Sequence, residues 1–353
     1  MLGLTAIVLA AGQGKRMRSA KPKVLHEIAG RPLVHFPVAA AVGAGAERIV
    51  VVASPATRDA IRQALSAQLG EDRLCTVVQD PPLGTGDAAR VGLDSVQTER
   101  VLILYGDTPL VEADDVQKLV RTQRESATAD LVLLSCVVDD PGGYGRVLRD
   151  AVGRVIEVRE DRDLGTDAER AIREVNAGMY ATRTATLREA LRQVRPANAQ
   201  GEYYLTDVVA LAARGAGVEA VVGGEHNLVG VNDRAQLATA ESAMYQRIAQ
   251  RHARAGVTIR GDVRIDDPVI IEPDAVVCER SSLRGLCRIG ARARVDVGCV
   301  LTNVQLEDDV ALEPYCVLSG CHIGPGARVG PFAHLEAGTH VARGHTASAT
   351  QPT

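Results

Sequence analysis

The sequence predicts an α/β protein: a mostly parallel sheet domain, then a long helix, then a β-solenoid. Short β-branched runs without polar alternation (residues 6–9, 48–52, 75–78 and 101–105) alternate with helically spaced segments at 33–42, 57–69 and 86–96. That is the pattern of parallel strands covered on both faces. From Ile259 an aliphatic residue then recurs every sixth position, through Ile265, Ile271, Val277, Leu283, Ile289, Val295 and Leu301. Aliphatics fill about a third of positions, so eight in series arise by chance about once in several thousand. Between the two patterns, residues 233–253 read as one long helix, polar on one side.

The elements follow in order. The first strand, residues 6–9, runs into a small-residue loop, and the strand at 101–105 ends on Gly106-Asp107. Open parallel sheets hold ligands at the carboxyl ends of such strands. Residues 130–138 and 146–180 are richer in strands and turns and predict an antiparallel excursion, followed by helices at 184–194 and 205–214. A period of six cannot serve an α-helix; it suits a three-sided solenoid whose short faces each turn one aliphatic inward. The phase slips by one before Leu306 and again before Ile323, which predicts four to five coils of about 18 residues. The domains are therefore expected at 1–230, 231–255 (the linking helix) and 256–343, with a frayed tail at 344–353.

The 353 residues are 46 % apolar and 24 % charged, which excludes a disordered chain. No apolar run approaches the roughly 18 residues of a membrane helix, and residues 1–9 carry no secretory pattern. Forty basic against 44 acidic residues, a net charge of −4, ask for neither nucleic acid nor an anionic membrane. Seven cysteines without a C-x-x-C pair fit reduced, buried thiols in the cytoplasm rather than disulfides or zinc. The eight histidines read as scattered and unpaired.

Only four of the 40 basic residues are lysine, and Lys15, Lys21 and Lys23 cluster behind the first strand. A compact ammonium kept where arginine is the default suggests a specific task, with ordinary surface charge as the competing reading. In Leu9-Ala10-Ala11-Gly12-Gln13-Gly14-Lys15-Arg16, small residues allow close approach to a ligand, and successive N–H groups can form an anion nest. The loop is neither a Walker A nor a dinucleotide fingerprint, because Arg16 and Met17 break those patterns. A plain strand–loop turn is the alternative; Arg16 and Lys23, two cations beside a nest, favour a triphosphate. Asp107 at a strand tip suits a Mg²⁺ ligand, which needs only one or two carboxylates plus substrate oxygens; a turn residue before Pro109 is the alternative. Leu83-Gly84-Thr85-Gly86-Asp87 opens a helix, with glycines placed for contact to a base or phosphate and Asp87 suited to the helix dipole.

Together, Leu9-Ala-Ala-Gly-Gln-Gly-Lys-Arg-Met17, Lys21-Pro-Lys-Val-Leu-His26, Gly143-Tyr-Gly-Arg146, Glu174-Val-Asn-Ala-Gly178, Gln200-Gly-Glu-Tyr-Tyr204 and Gly230-Val-Asn232 resemble one family. It is the bifunctional N-acetylglucosamine-1-phosphate uridyltransferase/glucosamine-1-phosphate acetyltransferase family of sugar-phosphate nucleotidyltransferases. The resemblance implies a Rossmann-like nucleotidyltransferase sheet and a left-handed parallel β-helix of hexapeptide repeats, assembled as a homotrimer. It implies that Leu9, Ala10, Ala11 and Gly12 hold the nucleotide of UTP, that Gln79, Gly84 and Thr85 read uracil, and that Arg16 and Lys23 neutralise the triphosphate. Tyr105, Gly106, Gly145, Glu160, Asn176 and Asn232 would hold an amino-sugar 1-phosphate, and Asp107 and Asn232 would ligate Mg²⁺.

The sequence departs from the family at Lys15 (usually Thr), Asp87 (usually His), Arg159 (usually aliphatic) and Ala177 (usually Thr), the last two beside the expected sugar pocket. Glu336 falls where the family carries an Arg for the acceptor phosphate, and the stretch bearing the family's acetyl-transfer histidine is not in this chain. The expectation is uridylyl transfer without acetyl transfer. A different sugar or nucleotide, or an assembly module beside a silent nucleotidyl domain, are the alternatives.

Overall fold

The structure, a computed structural model, describes residues 3–70, 72–224 and 230–348. It forms two compact units: Met1–His26 with Pro32–Gln236, and Glu27–Arg31 with Leu237–Thr353. The short segment Glu27–Arg31 thus packs with the second unit, where the Asp267 N–H donates to the Ala29 carbonyl at 2.8 Å.

The first unit is built on a nine-stranded sheet. Its strands are β1 (Leu4–Leu9), β2 (Arg48–Ala53), β3 (Leu74–Val78), β4 (Arg100–Tyr105), β5 (Leu131–Val137), β6 (Arg146–Arg149), β7 (Val155–Arg159), β8 (Glu174–Arg183) and β9 (Val218–Val222). The order is β9-β5-β8-β4-β1-β2-β3, with the β6–β7 hairpin hanging from β8. Neighbours along the path are parallel except at β8, which runs antiparallel to β4 and β5. This is the predicted antiparallel excursion. The chain leaves β1 towards β2 and β3, then returns to lay β4 on its other side, with Leu9 level with Tyr105. A crevice opens at such a reversal, because successive connections leave the sheet in opposite directions.

Side-chain alternation divides the core. Ala6 and Val8 face one cluster with α1 (His35–Gly43), α2 (Arg58–Leu69) and α4 (Ala113–Glu125); Ile7 and Leu9 face another with α3 (Thr85–Leu93), α6 (Thr184–Gln193) and α7 (Asp207–Ala213). Helix α4 was not expected. Only Val116, Leu119 and Val120 of its apolar residues are buried, at the i, i+3, i+4 spacing of a narrow stripe, within an otherwise polar sequence.

Helix α8 (Arg234–Arg254) precedes the second unit's three stacked parallel sheets of six, five and five strands. The predicted inward aliphatics form columns, as in Ile265, Leu283, Leu301, Leu318 and Leu335, each level with the next coil. Isolated two- or three-residue strands could not persist alone; stacking buries their one apolar side chain against its copies above and below. Both phase slips are real: the step is 18 residues from Leu283 to Leu301 but 17 from Leu301 to Leu318 and again 17 from Leu318 to Leu335. The arrangement is consistent with the left-handed hexapeptide-repeat β-helix.

Three expectations need correction. The solenoid is longer than four to five coils: Thr346–Ala347 forms the sixth strand of one sheet, pairing with Arg328–Val329. The tail is therefore not frayed from residue 344, since backbone pairing holds as far as Ala347; residues 349–353 lie outside the described residues. The histidines are not all unpaired, because His322 and His340 sit level on neighbouring coils and stack 4.8 Å apart. None of the seven cysteines is in a disulfide, and six are buried. Among the described residues no helix is long and apolar enough to cross a membrane.

Candidate active site

The loop after β1 is pinned at its root. Ala10 N–H donates to the Val52 carbonyl at 2.8 Å and Gly106 N–H to the Leu9 carbonyl at 2.9 Å, tying together the ends of β1, β2 and β4. Ala10 and Ala11 are buried, while Gly12, Lys15 and Arg16 are exposed. Met17 is buried and anchors the far end of the loop. Lys23 is aimed by its surroundings: Pro22 starts a single helical turn, Val24 is buried, and a Cβ on Gly14 would stand 2.6 Å from that of Lys23. Only glycine lets the two segments approach so closely.

The Lys23 ammonium, partly buried, meets two oxygens from distant parts of the chain. It ion-pairs with Asp107 Oδ2 and donates to Asn232 Oδ1 at 3.2 Å. Asn232 is brought there by backbone. Val231 N–H donates to the Asp107 carbonyl at 2.8 Å. The start of α8 fixes the rest, with Gln236 Oε1 accepting from Asn232 N–H at 2.7 Å while Gln236 N–H donates to Asp233 Oδ1 at 2.9 Å. These bonds satisfy donors that a helix start leaves orphaned. The two oxygens expected to hold Mg²⁺ therefore converge on a single cation, and the neutral amide and carboxylate are hard donors of the type Mg²⁺ accepts. The donor set fits. Among the described residues no three His, Cys, Asp or Glu side chains group to hold a metal, so an ion here would complete its shell with substrate or water oxygens.

A second cluster lies beneath β4 and β8. Gly178 has φ 75° at a bulge in β8, where the pairing register shifts between Asn176 and Met179. The Tyr105 ring occupies the space a Cβ there would need. Asn176 is held on both sides, donating to the Tyr180 hydroxyl at 2.7 Å and accepting from Gly178 N–H at 3.1 Å. Its N–H donates to the Gly145 carbonyl at 2.8 Å, and Glu160 Oε2 lies 3.5 Å from where a Gly145 Cβ would be. Glu160 accepts from the Thr206 hydroxyl at 3.0 Å. Burial raises the Glu160 carboxyl above the usual range, partly offset by that hydroxyl and reinforced by Asp163 and Asp161. Asp207 nearby is pushed up to about 6, first by burial and then by the charge of Glu160. Tyr105 is held protonated by burial and the charges of Glu160 and Asp107, with the Thr85 hydroxyl bonded to it. Tyr105 thus joins this cluster to the others.

The third cluster is the Gly84–Asp87 turn. Its glycines are approached closely by the protein's own backbone. Gly86 N–H donates to the Tyr203 carbonyl at 2.7 Å, and Tyr203 N–H to the Leu83 carbonyl at 2.9 Å. The Thr85 hydroxyl accepts from Leu205 N–H at 3.0 Å. Gln79 is buried, and its amide nitrogen donates to the Gly84 carbonyl at 3.0 Å and to Asp87 Oδ2 at 2.8 Å. Asp87 does more than face a helix dipole.

Two of the residues that depart from the expected pattern have partners inside the protein. Arg159 ion-pairs with Glu157 and with Glu169, the latter completing the cap of α5 (Asp167–Arg170), and Ala177 is buried in the apolar core. Sequence reasoning assigned no role to Tyr144, whose hydroxyl is pushed up by burial and by the nearby Cys136 and Asp140, with Arg16 opposing. Its side chain packs against the cluster containing Ala10 and Val24. The signal was present in Gly143-Tyr-Gly-Arg146, but nothing local says where that hairpin folds. Arg146 holds it, buried, bonding the Tyr144 carbonyl and Asp161.

Residues 6–178 match the MobA-like NTP transferase domain. The chain is 50 % identical over 337 residues to the bifunctional protein GlmU of Sorangium cellulosum (strain So ce56), covering 94 % of this chain and 71 % of that protein. It is 46 % identical over 342 residues to the bifunctional protein GlmU of Anaeromyxobacter dehalogenans (strain 2CP-C), covering 96 % and 70 %. Against that of Caldanaerobacter subterraneus subsp. tengcongensis the identity is 37 % over 336 residues, covering 94 % and 72 %.

Proposed function

We propose that this chain, which belongs to the bifunctional GlmU family and is a sugar-phosphate nucleotidyltransferase, transfers a uridylyl group from UTP to N-acetylglucosamine 1-phosphate. The products are UDP-N-acetylglucosamine and pyrophosphate. One observation carries the reading: Lys23, Asp107 and Asn232, separated widely in sequence, meet beside the loop that follows β1.

In this reading Leu9 to Gly12 bear the nucleotide, and Gln79, Gly84 and Thr85 face the uracil. Arg16 and Lys23 spread the triphosphate's charge, Lys23 exchanging its carboxylate partner for phosphate oxygens. Tyr105, Gly106, Gly145, Glu160 and Asn176 orient the sugar phosphate. Asp107 and Asn232 would hold Mg²⁺, which when bound supplies charge neutralisation at the reacting phosphate. A phosphate oxygen of the sugar forms the new bond to the α-phosphorus of UTP, and the α–β bridging bond breaks to release pyrophosphate. The nucleophile's second pKa is about 6, so it is already ionised near neutrality and needs no general base. Alignment and fixed positive charge carry the rate.

Pyrophosphate release over a panel of nucleotides and sugar 1-phosphates tests this; the expected best pair is UTP with N-acetylglucosamine 1-phosphate. Chelation with EDTA or the change Asp107→Asn is expected to lower turnover at least ~100-fold, on the scale of lost transition-state charge stabilisation. Full turnover by the variant would revive the silent-domain alternative. We also propose that the β-helix does not acetylate glucosamine 1-phosphate, because exposed Glu336 would repel an acceptor phosphate; acetyl-CoA consumption by the pure protein would refute it. The assembly proposed is a homotrimer in the cytoplasm, checked by sedimentation equilibrium.

A further inference from the structure

We infer that Asp87 is a positioning residue that fixes which way the Gln79 amide faces, and so selects a base bearing a ring N3–H over one with a bare N3. This rests on the reading that Gln79 faces the nucleotide base.

Two groups receive the Gln79 amide, the Gly84 carbonyl at 3.0 Å and the Asp87 carboxylate at 2.8 Å. Neither a carbonyl nor a carboxylate can donate, so both must face the NH₂ end. Both amide hydrogens are thereby committed inside the protein. What Gln79 has left to offer is Oε1, an acceptor. Uracil presents a donor at N3 and cytosine an acceptor, so a fixed Oε1 attracts the first and repels the second. Rejection of this kind comes from a group that cannot turn to satisfy the wrong partner.

Of the two anchors the carboxylate is the stronger, because its hydrogen bond is charge-assisted. It is also held in turn. The second Asp87 oxygen pairs with the Arg90 guanidinium, and that guanidinium lies 5.6 Å from the centroid of the Tyr203 ring. Tyr203 is the residue whose backbone brackets the Gly84–Gly86 turn. Arg90 therefore keeps Asp87 from rotating, and Asp87 keeps Gln79 from flipping. In Asp87→Asn the new amide would keep its oxygen on Arg90 and turn its NH₂ to the Gln79 NH₂. That conflict is relieved by flipping Gln79, opposed only by the Gly84 carbonyl.

The test is the ratio of kcat/KM for UTP to that for CTP, with dTTP against dCTP as a second pair sharing the same N3 difference. Asp87→Asn is expected to lower both ratios about tenfold, the scale of one lost charge-assisted hydrogen bond. The loss should come through poorer use of the N3–H nucleotides together with relatively better use of the cytosine ones. A uniform loss across all four, leaving the ratios unchanged, would overturn the inference, since that is how a merely structural residue behaves. Where the single variant does not fold, Asp87→Ala removes the carboxylate anchor without introducing an amide, leaving Gln79 held by the Gly84 carbonyl alone; the same ratios should then fall, and unchanged ratios overturn the inference. Gln79→Ala separates the two levels. If it leaves the ratios at wild-type values, Gln79 does not read the base and both readings fall; if it collapses them while Asp87→Asn does not, only the role of Asp87 falls.

Discussion

Replacing Gly178 by Ala strikes the junction between fold and candidate sugar pocket. The backbone there has φ 75°, and the Tyr105 ring fills the space of the missing side chain. Holding an L-residue in the left-handed region costs about 1–2 kcal/mol. Forcing the Tyr105 ring aside in a packed site adds about 1–3 kcal/mol, so the variant should lose about 2–5 kcal/mol in all. Gly143→Ala is the internal control. Its φ of 82° carries the same backbone cost, but no atom lies within 4 Å of the added methyl. The difference between the two variants, measured by urea unfolding of each, isolates the ring contact. In kinetics, a displaced Tyr105 should raise KM for the sugar phosphate roughly tenfold while changing KM for UTP less, since one misplaced contact is of that order. If Gly178→Ala proves no more destabilising than Gly143→Ala, the contact with Tyr105 is not what requires glycine, and the account of the bulge is wrong.

Other outcomes follow from the same geometry. Glu160→Gln should stabilise the protein at pH 7.5 while weakening sugar-phosphate binding. Burial raises the folded carboxyl, so the wild type carries no penalty below the unfolded pKa of about 4 and a growing one as pH rises through the folded value. Urea titrations at pH 4 and 7.5 check the sign, and a gain confined to the acid end would contradict it. Leu301→Ala, at a fully buried position in a middle coil between Leu283 and Leu318, should cost about 2–5 kcal/mol. Val341→Ala, near the edge of the described coils, should cost less, because it removes fewer atoms and opens a shallower cavity; calorimetry of the two distinguishes the cases.

Much of this protein was written locally. A run of β-branched residues, a helix stripe and a period of six each depend on neighbours a few positions away, and so they declare themselves in one dimension. The solenoid is the clearest instance, with even its two 17-residue coils visible as phase slips. Helix α4 escaped because three buried apolar residues in thirteen suffice when a sheet already waits beneath them. The segment Glu27–Arg31 escaped because it packs with residues more than two hundred positions later.

The residues with chemistry divide the same way. Their types, and the strand ends from which they project, were fixed by sequence: a glycine-rich loop, Lys23 behind a proline, Asp107 at the tip of β4. Partnership was decided only by the tertiary structure. Lys23 meets Asp107 across 84 positions and Asn232 across 209, because the sheet reverses at β1 and the start of α8 comes back to that edge. Gln79 acquires a direction through Asp87 and the Gly84 carbonyl, and Tyr105 a place through the bulge at Gly178. A hydrogen bond or an ion pair acts over about 3 Å and is blind to chain distance. Sequence can therefore supply the donors and acceptors, but folding chooses which of them meet.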